Sequence, residues 1–182
     1  MMAWKEGYKN AQVHDDASLK EAAKPKAKVK QTPLDQLGPT GERAADYAAT
    51  SAAETVVGID ATTLSLIQDA ISTGIEERLG VGGTARLIRE VVTDMSVKRS
   101  EAIATTEMND AISQATLEKL GDLGIEYKKA IPVDDPCDIC QENADAGAIP
   151  VDDEFPSGDD ATPFHTRCRC AVVGARAPQE DL

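Results

Sequence analysis

PFHTRCRC, residues 163–170, gathers His165, Cys168 and Cys170 into one short knot, and DPCDIC, residues 135–140, supplies Cys137 and Cys140 as a CxxC pair. All four cysteines of the chain lie in these two knots, with 24 residues between Cys140 and His165; the only other histidine is His14. Two cysteines three apart form a tight knuckle that points both sulfurs at one ion. A second knuckle then completes a tetrahedron of thiolate and imidazole ligands. Closed sites of this kind are structural, and zinc is the metal they suit. Five candidates (Cys137, Cys140, His165, Cys168, Cys170) compete for four positions, so either His165 joins three cysteines or the cysteines act alone. Two readings stand beside a metal: disulfides between the knots in an oxidising compartment, or plain reduced thiols.

Charge around the knots bears on that choice. Between Ile131 and Thr162 there are ten carboxylates and no lysine or arginine. A field of that sign disfavours thiolate and raises thiol pKa, unless a divalent cation, helped by Arg167 and Arg169, offsets the repulsion. Taken alone, the acidic run reads as a solvated loop.

Moving outward, Ile125, Tyr127, Lys129 and Ile131 alternate with polar or small residues, a strand leading into the first knuckle, and Ala171-Val172-Val173 is its candidate partner. Upstream the pattern is helical. A helix is expected from about Glu42 to Val57, closed by Gly58, and another after Asp60 as N-cap, where Leu64, Ile67, Ile71, Ile75 and Leu79 form one apolar stripe. Gly80, Gly82 and Gly83 lack the lysine and Ser/Thr of a phosphate loop and read as an interhelical turn, with Thr84 capping a short helix to about Asp94. A longer helix follows from about Ser96 to Leu120, with Val97, Ile103, Ala104, Met108, Ala111, Ile112, Ala115 and Leu120 inward. Its Thr105, Thr106, Glu107 and Asn109 form a polar set with no nucleophile and base side by side.

The expected fold class is therefore α+β: an extended basic arm (1–41), a helical body (42–123), a β-rich Cys/His module of zinc-knuckle type with its acidic loop (124–175), and a tail (176–182). Aromatic residues make up only 3% of the 182, so one dense core of this length looks underfilled. The net charge of −13 argues against nucleic acid as principal partner, since phosphate binding needs a basic face. Residues 1–30 differ, with seven lysines against four acids, and Trp4 and Tyr8 stand four apart as a docking pair. Residues 22–41, with Pro25, Pro33 and Pro39, read as a linker. Met1 to Asn10 has no apolar core of signal-peptide length and no transmembrane run occurs, which favours thiols or metal over disulfides.

The order of these features resembles the phage Mu F-like (minor head, head morphogenesis) family. The run Arg99-Ser-Glu-Ala-Ile-Ala-Thr-Thr-Glu-Met-Asn looks like its arginine … isoleucine-alanine-x-threonine-glutamate helix. Gly124, Lys128 or Lys129, Asp134 with Cys137 and Cys140, Phe155, and the closing Pro163-Phe-His-Thr-Arg-Cys-Arg-Cys170 follow in the family's order. The likeness spans roughly 64–173; Ala130 or Ile131 replaces a usual aromatic, and Phe164 and Thr166 replace prolines. It implies a tailed-phage or prophage head component that is not an enzyme. Such a protein is made in the host cytoplasm and sits in the virion, inside the capsid near the portal. It binds the portal protein and, with it, major capsid or scaffold protein, meets DNA only indirectly, and assists assembly or DNA passage. Some relatives carry a fused toxin domain, and none is expected here.

Two rivals are weighed against this. Pro136-Cys137-x-x-Cys140 matches half of the zinc deaminase signature, whose mechanism needs an upstream HxE; the only upstream histidine, His14, is followed by Asp15 and Asp16. The other is a zinc-module adaptor unrelated to phage, binding through its acidic loop.

Overall fold

The computed structural model describes residues 39–53, 56 and 60–178. Most of the expected arm, the Trp4/Tyr8 pair, His14, the Gly58 stop and residues 179–182 lie outside them. Four helices come first: α1 (Pro39–Ser51), α2 (Ala61–Glu76), α3 (Gly80–Val91) and α4 (Val97–Asp122). Then come β1 (Tyr127–Ile131), α5 (Asp138–Asp145), β2 (Ile149–Pro150) and β3 (Ala171–Ala175). The architecture is α+β, mainly helical with a small antiparallel sheet at the Cys/His cluster.

Local chemistry sets the helix ends. Asp60, extended at φ −85°, accepts the Thr63 N–H at 2.9 Å and caps α2, and Ser96 accepts that of Arg99 at 3.2 Å to cap α4. Helix α1 stops at Ser51 rather than running to Val57. Ala53 takes a left-handed φ of 63°, and its N–H is captured at 2.6 Å by Glu107 Oε2 from α4, so the ladder cannot continue. The glycine run also differs from expectation. The turn lies at Arg78 (φ 54°) and Gly80 (φ 63°), while Gly82, Gly83 and Thr84 are inside α3. Thr84 is no cap: it is fully buried, its hydroxyl has no hydrogen-bond partner, and a Cβ on Gly74 would come within 2.1 Å of that oxygen. Glycine at 74 is what lets α2 and α3 approach so closely.

Two apolar clusters form. The first unites Ala44, Ala45, Ala48, Ile67, Ile71, Ile88, Ala104, Ala111 and Ala115 across α1 to α4. Small side chains let these helices pack close, so a body with little aromatic content is still filled. Arg43 of α1 pairs with Asp122 and Glu118 at the far end of α4. Helix α4 buries Ile103, Ala104, Met108, Ala111, Ala115 and Leu120 as expected, but Val97 is 54% and Ile112 47% exposed. In their place it buries Ser100, Glu107 and Ser113, because it serves two neighbours: the other helices on one side and the Cys/His module on another.

The second cluster comprises Ala130, Cys140, Phe155, Ala161, Phe164, Cys168, Cys170 and Val172. The strand order is β2-β1-β3, with Tyr127 opposite Ala175 and Ile131 opposite Ala171. The partner strand expected at Ala171 is in place, while β2 and α5 have no counterpart in the sequence reading. In β1 the buried side chains are Lys128 and Ala130, and Lys129 and Ile131 point outward.

Candidate metal centre

The first knuckle is a helix start. Cys137, extended at ψ 167°, is the N-cap of α5 and its carbonyl accepts the Gln141 N–H at 2.9 Å. Cys140 falls in the first turn and is buried, whereas Cys137 is exposed. The second knuckle turns at Arg167 (φ 65°), with the Cys168 N–H returning to the His165 carbonyl at 3.0 Å.

These two turns meet. His165 Nε2 lies 3.4 Å from Cys137 Sγ and 3.2 Å from Cys140 Sγ, and Cys140 Sγ lies 3.8 Å from Cys168 Sγ. The ligand atoms of Cys137, Cys140 and His165 are within 4.8 Å of one another, as are those of Cys140, Cys168 and Cys170, so Cys140 belongs to both groups. All four cysteines are free thiols. A disulfide bond is only about 2.05 Å long. Around a tetrahedral zinc, with Zn–S of about 2.3 Å and Zn–N of about 2.0 Å, sulfurs stand about 3.8 Å apart and sulfur and nitrogen about 3.5 Å. The observed spacings fit that geometry. His165 is also set in the right tautomer: Nδ1 is 2.9 Å from the Thr166 carbonyl, which can only accept, so Nδ1 carries the proton and the Nε2 lone pair faces the sulfurs.

The thiols differ in acidity. Burial, chiefly, and hydrogen bonds with Cys170 and Cys137 push the Cys140 thiol far up, so a bound cation would have to displace its proton. Cys137 moves the other way. The backbone N–H of Cys140 stabilises its thiolate and outweighs the charge of Asp138, which corrects the expectation that the acidic run lifts every thiol. Arg167 does not turn to the cluster either; its guanidinium donates to the Lys98 carbonyl at 2.6 Å.

The acidic segment is folded, carrying α5 and β2, with nine of its ten acidic residues exposed and Asp159 half-buried, its carboxylate accepting from Ser157 Oγ at 2.8 Å. Lys128, 0% exposed, donates from Nζ to the carbonyls of Val151 and Asp160, both at 2.7 Å, and lies 5.4 Å from the centre of the Phe155 ring. Burial lowers its pKa, while Asp160, Asp152 and Asp153 pull the other way. Phe155 meets Phe164 edge-on at 5.2 Å, and Asn143, also 0% exposed, brackets Ser157 through its Nδ2 and Oδ1. Sequence reasoning had Lys128 only as an alternative to Lys129 in the family's order and did not foresee that Lys128 is buried; it missed Asn143 altogether. The available signal was parity, since Lys128 shares its strand face with the small residue Ala130.

Beside His165 a cleft of about 490 Å³ opens between the helices and the loop. Glu107, Asp110, Asp159 and Asp160 line it together with Tyr47 and Phe164, and among the described residues no lysine or arginine does, so these walls repel phosphate. Among the described residues no carboxylate joins either Cys/His group, and no helix is long and apolar enough to cross a membrane.

No curated protein and no solved structure matches the chain. Residues 65–173 match the family described as Phage Mu protein F like protein, nearly the span over which the motifs resemble it. The matched region contains both knuckles, β1, β2, the first three residues of β3 and most of the helical body, more than half of the sequence. The chain therefore belongs to the Phage Mu protein F like family, a family of phage head proteins.

Proposed function

We propose that this protein acts in phage head morphogenesis from inside the procapsid. It binds the portal protein through its N-terminal segment, together with major capsid or scaffold protein, and assists assembly or DNA passage without catalysing a reaction. The observation that carries the reading is the family match across the body and both knuckles. The site supports it: four thiols and one imidazole converge with no carboxylate among them, a donor set that suits a closed structural zinc. A general acid/base of the kind a deaminase needs is missing from both groups among the described residues. On this reading zinc, held by four of Cys137, Cys140, His165, Cys168 and Cys170, ties the two knuckles together. The lysines of residues 1–30 and the Trp4/Tyr8 pair form the contact with the portal.

A stable contact of this kind buries roughly 1,000 Å² or more. Co-expression with the cognate portal protein tests it. The full chain co-purifies with the portal, and a chain starting at Gly41 folds but does not. Retained binding by the shortened chain would overturn the assignment of the arm, and failure of the full chain to bind would overturn the portal as partner.

A further inference from the structure

Helix α4 does more than fill the body. Asn109 Nδ2 donates to two carbonyls of the second knuckle, Cys168 at 3.0 Å and Cys170 at 3.1 Å. On its other side, Asn109 Oδ1 accepts from Thr162 Oγ1 at 3.1 Å, and Thr162 in turn bonds Ser113 at 2.5 Å in a fully buried contact. One turn earlier, Thr106 Oγ1 accepts the N–H of Arg167, the residue that takes the left-handed turn, at 2.9 Å. The knuckle is thus held at its entry, its turn and both cysteine carbonyls by side chains of a single helix.

We propose that Asn109 and Thr106 are positioning residues for the metal centre: α4 is the template that aims His165, Cys168 and Cys170, so that metal affinity is written partly in the helical body. This rests on the zinc reading above. A peptide as short as residues 162–170 does not hold three donors in place unaided, and ordering it on binding would reduce affinity. Groups that orient ligands without touching the metal usually contribute 10- to 100-fold in affinity. Thr105, next to Thr106 in the same motif, bonds the Glu101 carbonyl of its own helix at 2.7 Å and, among the described residues, nothing in the knuckle, so it has no such role.

The test uses the full chain, zinc competition against a chromogenic chelator, the cobalt–thiolate absorption of the Co²⁺-loaded protein, and Tm with and without zinc. Asn109→Asp keeps the shape but presents oxygen to two carbonyls; Thr106→Val keeps the shape and removes the acceptor. Each is expected to weaken zinc about 10- to 100-fold, to alter the cobalt spectrum and to shrink the rise in Tm that zinc produces, while Thr105→Val changes none of these. Variants that lose Tm equally with and without zinc, at unchanged affinity and spectrum, would show that the bonds are structural only and would overturn the proposal. Wild-type chain that takes up no zinc would overturn the zinc reading and the proposal together.

Discussion

The helical body and the Cys/His module solve the same problem with different materials. In the body, alanines and branched aliphatics interlock across four helices. In the module, eight apolar residues form the cluster, three of them cysteines, and Lys128, Asn143 and Thr162 are buried beside it. So small an apolar core rarely supplies more than about 3–5 kcal/mol. The body is held by what it keeps from water. The module is held by having each described buried polar side chain matched to a partner, and such a structure fails abruptly when one match is lost.

On the zinc reading proposed above, the widest separation of the two regions should come from removing the metal. Chelation, or Cys140→Ser at the thiol shared by both donor groups, is expected to cost the module several kcal/mol. Hydrogen exchange would show loss of protection in β1, α5 and β3 with α1 to α4 still protected; uniform loss would mean that the regions unfold together.

Lys128→Met comes next. It leaves the Val151 and Asp160 carbonyls without their donor, at a cost of about 2–4 kcal/mol. Chemical denaturation followed by exchange should place that loss in the module alone.

Glu107→Gln is the smallest and acts in the body. Burial, aided by the charge of Asp110, raises the pKa of Glu107, although the Ala53 N–H opposes this. A carboxyl raised in the folded state contributes most to stability below its ordinary value, and that contribution is lost as pH rises through the folded value. The amide keeps an acceptor for Ala53, so the variant should be slightly more stable than wild type near neutral pH. The gap should close toward pH 4 in paired thermal melts; a gap independent of pH would exclude the carboxyl's ionisation as its source.

What could be read from sequence was what is local. Asp60 announced its helix because a cap is a contact over three residues, and the five donors announced themselves because each knuckle is a short turn. Thr84 misled because a threonine after glycines imitates a cap, whereas its surroundings are set by Gly74 on another helix. Ile112, expected inward, is exposed while its neighbour Ser113 is buried, because the second face of α4 answers to the module. The burial of Lys128 was hidden for a similar reason, since its partners are carbonyls 23 and 32 residues away. Asn109 was visible as a polar residue, but its attachment to carbonyls 59 and 61 residues further on was not.

The strand order β2-β1-β3 also sets a sequence of events during synthesis. The central strand emerges from the ribosome before either neighbour, and its long partner at Ala171–Ala175 is made after both knuckles. By then the four helices have been translated in full, including α1 and α4, whose mutual contacts, such as Arg43 with Asp122, span as many as 79 residues of chain. The second knuckle is therefore made only after every residue of α4 that it meets, and the sheet cannot close until its last-made strand is present.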